Sequence, residues 1–141
     1  MMARRQPVRR RLVVDNDAAS ALLRGPDAKR RQVIEALAAA DGGAVVPTAV
    51  RAEAGWDRRA GQAALANQLV PDDDPLDRPG ADRAAELRAV VPAASVVDAC
   101  VAVAAERAAS RGSPVEILSS DPADIAALAA QLGGRFDIRR L

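Results

Sequence analysis

The sequence predicts an α/β fold: a three-layer α/β/α sandwich with a central, mainly parallel sheet. Three observations point there. Short apolar runs bounded by turn residues alternate with segments of helical periodicity along the whole chain. Alternation of this kind buries strands between helices on both faces of one sheet. Acids stand where several of those runs end, and no internal repeat or long linker divides the chain.

Taken in order, Leu12-Val13-Val14 is an apolar run that stops at Asp15 and reads as a buried strand. A helical pattern follows from Ala18 to Leu23, and Gly25-Pro26 breaks it. Residues 27–40 carry Val33, Ile34 and Leu37 at helical spacing until Asp41-Gly42-Gly43 ends them. Ala44-Val45-Val46 is a second strand, and Pro47-Thr48 opens a helix reaching about Trp56. Residues 58–69 continue as helix, whereas Pro71-Asp72-Asp73-Asp74-Pro75 is too polar and proline-broken for regular structure. A helix over 81–90 ends before Pro92, and Ser95 caps a long helix over 96–110 that Gly112 closes. Val115-Glu116-Ile117-Leu118 is a strand and Ser119-Ser120-Asp121-Pro122 a turn. A helix over 123–132 ends at Gly133-Gly134, and Phe136-Asp137-Ile138 is the last strand. Residues 1–11 read as a basic tail outside a single domain over 12–141, with Arg4, Arg5, Arg9, Arg10 and Arg11 forming a flexible arm.

Composition narrows the chemistry. With 141 residues, 50% hydrophobic and 28% charged, the chain suits one globular domain. No apolar run approaches the ~20 residues of a membrane helix, and no apolar core follows MMARRQPVRRR as it would in a signal peptide, so a cytoplasmic protein is expected. The lone cysteine, Cys100, lies among valines and reads as a small buried hydrophobe. The absence of histidine excludes His-based triads and His-ligated zinc. Trp56 and Phe136 are the only aromatics, too few for a base-stacking platform. A net charge of +1 supplies no overall field for nucleic acid, so phosphate binding would fall to local arginines or to a bound cation.

In parallel sheets ligands bind outside the carboxyl ends of the strands. Asp15 and Asp121 fall at such ends; Glu53 and Asp98 sit on the helices that follow. Each also has a structural reading. Asp15 can cap a helix, Glu53 can be a solvated helix residue, Ser95 and Asp98 form a near capping box, and Asp121-Pro122 is a common helix start that leaves Asp124 near the dipole. That reading is weakest for Glu53, among Ala52, Ala54 and Trp56, and for Asp98, within Val96-Val97-Asp98-Ala99-Cys100-Val101. A carboxylate in so apolar a segment is costly to bury without compensation. Several carboxylates at one sheet edge repel unless a hard cation such as Mg²⁺ or Mn²⁺ lies among them.

The order and surroundings of these acids resemble the PIN-domain family, most closely its small VapC-type toxins of bacterial toxin–antitoxin pairs. Val13-Val14-Asp15 is similar to the family's opening strand and first acid. Val46-Pro47-Thr48 through Glu53 is similar to its second strand and helix-borne acid, and Val97-Asp98-Ala99-Cys100-Val101-Ala102 to its third motif. Ile117-Leu118-Ser119-Ser120-Asp121-Pro122-Ala123-Asp124-Ile125 is the closest match, and the resemblance runs from about Leu12 to Leu141. It implies that Asp15, Glu53, Asp98 and Asp121 hold one or two Mg²⁺ or Mn²⁺ ions for RNA hydrolysis, leaving a 5′-phosphate and a 3′-hydroxyl. It implies too that Ser119 orients Asp121 or a water, with Asp124 as a supporting acid or a helix-dipole residue. A cognate antitoxin and a homodimer are implied as partners.

The pattern departs at Asp15-Asn16-Asp17, where the family usually carries a small or hydroxyl-bearing residue or Asn after the first acid. Asp17 is expected to cap the helix, or else to add a metal ligand. Arg24, Arg51, Arg58 and Arg59 are candidates for RNA phosphates, although a solvated helix face is the reading preferred for any single one of them. Two other functions compete. Asp15-x-Asp17 resembles the start of haloacid-dehalogenase-type phosphatases, although Lys29, the sole lysine, comes too early for their later lysine. A PIN-like domain that binds RNA or protein without cutting is the second.

Overall fold

The computed structural model describes residues 9–141. Its frame is a five-stranded sheet in the order β3-β2-β1-β4-β5, parallel throughout. The strands are β1 (Arg11–Val14), β2 (Ala44–Pro47), β3 (Asp72–Asp74), β4 (Val115–Ser119) and β5 (Phe136–Arg140). Parallel neighbours need crossovers. These are α1 (Asn16–Arg24) with α2 (Asp27–Ala39), α3 (Thr48–Ala54) with α4 (Ala64–Leu69), α5 (Arg78–Val90) with α6 (Val96–Ser110), and α7 (Pro122–Ala129). The expected α/β sandwich is the observed one.

Central strands are buried on both faces and read as continuous apolar runs. Val13, Val14, Val46, Ile117 and Leu118 are wholly inaccessible. α1 packs with α2, α3 and α4, whereas α6 lies against β1, β2 and β4 and packs with α5 and α7. The middle of α6, Ala99 to Ala105, is buried on every side. Its alanines let the helix approach the sheet and α5 and α7 at once, and it belongs to both hydrophobic clusters. A helix apolar all round is a core helix.

Three expectations are corrected. Asp72–Asp74 is a strand despite its charge, because arginines from elsewhere in the chain meet each acid: Arg11 on Asp72, Arg51 and Arg58 on Asp73, Arg107 on Asp74. Pro71 and Pro75 sit just outside it, where a missing N–H costs no ladder bond. Residues 58–69 are not one helix. Gly55 ends α3 in a left-handed conformation, φ 69°, and turns then lead to a 3₁₀ turn, Gly61–Ala63, before α4. Asn67 holds that detour, accepting from the Trp56 indole at 2.8 Å and donating to the Arg58 carbonyl at 2.7 Å.

The third correction concerns the basic tail. Arg4 and Arg5 lie outside the described residues, but Arg10 and Arg11 belong to the domain. Glu116, 2% exposed in the middle of β4, has its Oε2 bonded by Arg10 at 2.7 Å. Arg139 forms an ion pair with its Oε1 at 2.5 Å. A buried carboxylate needs such partners. Arg11 begins β1 and reaches the Gly42 carbonyl and Asp72. The Gly42 N–H bonds to the Arg10 carbonyl so closely that a Cβ on Gly42 would stand 2.5 Å from that oxygen. Among the described residues no helix is long and apolar enough to cross a membrane.

Candidate active site at the carboxyl edge of the sheet

From β1 the chain builds β2 and β3 on one side, then returns to place β4 and β5 on the other. Loops after β1 and β4 therefore diverge, and the crevice of a doubly wound sheet opens between them. β1 and β4 run in register, Val14 beside Leu118, which sets Asp15 abreast of Ser119.

Asp15 is 6% exposed and caps α1, its Oδ1 accepting from the Ala18 amide at 2.9 Å. Burial pushes its carboxyl up to about 6. The Ala18 amide and the Ser119 hydroxyl oppose that rise, and the charges of Asp17 and Asp98 add to it. Ser119, itself 1% exposed, also accepts from the Asp121 amide at 3.1 Å. Its neighbour Ser120 donates to Asp17 Oδ2. Consecutive serines thus tie the β4 loop to two acids of the β1 loop. Asp17 is not the cap expected of it; Asp15 holds that place, and Asp17 lies in the first turn of α1.

Two more acids enter from helix starts. Ser95 caps α6 by accepting from the Asp98 amide at 3.0 Å, which leaves the Asp98 carboxylate free and half-buried beside the crevice. Asp121 precedes α7 but makes no capping bond with its side chain, so the structural reading fails there. The charge of Asp121, then burial, then the charge of Asp98 push the Asp124 carboxyl upward. Asp98 thereby acts on acids of both loops. Asn16 adds a buried Oδ1 with no hydrogen-bond partner next to Asp15.

Glu53 stands differently. It is exposed on α3, where Val50 and Ala54 take the inward positions, so the burial expected of it is corrected. Among the described residues no group of three or more acids or cysteines closes to metal-ligand spacing. The acids are gathered as electrostatic neighbours around the crevice, not focused on one point. In chemistry the donor set fits a hard divalent cation: all oxygen, mutually repelling, with Asp15 carrying a burial cost that its bonds to Ala18 and Ser119 do not cancel.

The arginines expected at RNA face internal acceptors. Arg24 donates to the Ala54 carbonyl, Arg51 to Asp73 at 3.1 Å, and Arg58 to Asp73 at 2.8 Å while lying 5.0 Å over the Trp56 ring. Arg59 pairs with Asp57 on the surface. Lys29 makes no bond to these acids; it lies near the start of α2, beyond the far end of α1, about 13 Å of helix from the crevice. A cavity of about 690 Å³ lies elsewhere, along β3 between Arg11, Asp72, Asp74, Asp77, Arg107 and Arg111. Its acids are already matched by arginines, whereas Asp15, Asp98 and Asp121 pair with none among the described residues, so the carboxyl edge at β1 and β4 is the stronger site.

Comparison with known proteins agrees with this architecture. No family model matches the sequence, and no curated protein matches it. Among solved structures the chain is similar to FitAB bound to an IR36 DNA fragment, with a TM-score of 0.59 at 15% identity. That alignment covers 90% of this chain and 94% of the other. The fold is PIN-like. At this identity the likeness concerns the path of the chain, and the residues of the crevice must argue for themselves.

Proposed function

We propose that this PIN-like chain is a metal-dependent endoribonuclease, the toxin of a toxin–antitoxin pair, acting in the cytoplasm. One observation carries the reading: a buried Asp15 at the switch point, abreast of Ser119, feels the charges of Asp17 and Asp98, while Asp98 and Asp121 act on Asp124. Asp15, Glu53, Asp98 and Asp121 would be the residues to hold Mg²⁺ or Mn²⁺, which when bound would supply a polarised water and offset charge on the phosphate. The chain's own residues prepare that site. Ser119 fixes the Asp121 backbone and the Asp15 carboxyl, and Ser120 holds Asp17. The N-cap bond sets the direction in which Asp15 presents its second oxygen. The antitoxin and a second copy of the chain follow from the family resemblance, and RNA is the substrate class.

A non-catalytic RNA- or protein-binding domain is the second reading. It is favoured by Asn16-Asp17 after the first acid, with Asp17 already engaged by Ser120. Turnover separates the two. Purified chain is incubated with total RNA in Mg²⁺ or Mn²⁺, with and without EDTA, beside Asp98→Asn, which keeps the Ser95 cap because that bond uses the backbone amide. Discrete 5′-phosphate fragments that vanish with EDTA and in the variant sustain the nuclease. Intact RNA with folded wild type in both metals leaves the binding domain.

A further inference from the structure

We propose that Arg140 grips the substrate's phosphate backbone at the rim of the crevice, an assignment that rests on the ribonuclease reading above. β5 runs parallel to β4 with Ser119 paired to Arg140, and the following amide, Leu141, bonds to the Ser119 carbonyl at 3.0 Å. Neighbouring strands lie about 4.8 Å apart, and residues in register project to the same face. Arg140 therefore rises from the sheet beside Ser119, one strand away from the Asp15 position and next to the loop that carries Asp121.

Its face is settled by its own strand. Phe136 and Ile138, which alternate with it, pack into the core, and Phe136 meets the cluster built by α5, α6 and α7. Arg140 continues that row to the end of the strand, on the side where α6 and α7 begin with Asp98 and Asp121. Arg139 points to the other face and is committed to Glu116. Arg140 is exposed, and among the described residues no hydrogen bond or ion pair engages its guanidinium. Arg51, Arg58 and Arg107 are all matched by aspartates. An acidic crevice repels a polyanion, and a free guanidinium on its rim offers the two-pronged donor that phosphate oxygens take. The register of β5, visible only in the fold, brings it there from the far end of the chain.

The test measures binding and cutting separately. Affinity for a single-stranded RNA oligonucleotide is titrated against salt with the Asp98→Asn chain, alone and combined with Arg140→Gln, Arg140→Lys or Lys29→Gln. Loss of one phosphate contact weakens binding about 5-fold and flattens the log–log salt slope by about 0.7. Arg140→Gln should do both, Arg140→Lys should recover most of the slope, and Lys29→Gln, the same charge change on α2, should do neither. In the cutting-competent chain Arg140→Gln should raise KM with little change in kcat. If wild type cuts RNA and Arg140→Gln behaves like Lys29→Gln, the assignment is wrong and the nuclease stands. If nothing is cut yet Arg140→Gln flattens the slope, the nuclease fails and the RNA contact stands. A chain that neither binds nor cuts RNA overturns both.

Discussion

At Asp15 one carboxylate caps α1 and also stands buried among other acids, so the group the helix needs is one whose charge the crevice must tolerate. Its carboxyl titrates near about 6, against an ordinary 3.8. A folded state that holds the proton more tightly than the unfolded chain is favoured at low pH, and that advantage is lost as pH rises through about 6. Each unit is worth about 1.4 kcal/mol, so the ionised residue costs about 3 kcal/mol at neutral pH in the metal-free protein. Asp15→Asn keeps an excellent cap and removes the charge. In EDTA it should be more stable than wild type by up to about 3 kcal/mol at pH 8 and equal to it near pH 4, read by urea unfolding. A variant less stable at pH 8 would show that the carboxylate's bonds outweigh its burial. Glu53 teaches the reverse lesson about reading acids from sequence. Its alanine neighbours suggest an apolar setting, but on α3 the inward places belong to Val50 and Ala54, and Glu53 faces solvent.

Among the elements, those with local signals were legible and those stabilised from a distance were not. α6 announces itself through Ser95 at its cap and a wholly small and aliphatic body, and its span was read correctly. β1, β2 and β4 are apolar runs between turn residues and were equally plain. β3 carries three aspartates between prolines; what makes it a strand is arginines from β1, α3, the loop after α3, and α6, which no local window contains. The start of β1 was blurred for the same reason. Arg10 looks like a tail residue until Glu116 is seen buried beneath it, held also by Arg139 across β5. Removing both guanidiniums strands a carboxylate inside the sheet. Arg10→Ala with Arg139→Ala should clearly lower the midpoint of chemical denaturation. Removal of Glu116 leaves two arginines that are each roughly half exposed and can turn to water, so Glu116→Gln should cost clearly less. Equal costs would mean that packing, not charge, governs this position.

Among the described residues the sheet ends in two edge strands, and both are charged: β3 with Asp72-Asp73-Asp74, β5 with Asp137, Arg139 and Arg140. Charge on an edge strand discourages pairing with another sheet. Replacing Asp72 and Asp73 together by valine should leave a flat apolar edge and produce concentration-dependent association in sedimentation velocity, where wild type does not change over the same range. Unchanged sedimentation of the double variant would assign those acids to folding alone. The crevice has a different whole-molecule property. Ser120 and Asp17, bonded to each other, lie 103 residues apart in sequence. A ribosome that has delivered the first hundred residues has made Asp15, Asp17, Glu53 and Asp98, but neither β4 nor the serines and Asp121 that complete the crevice. The crevice is therefore an assembly of early and late chain, complete only when the last strands fall into place beside the first.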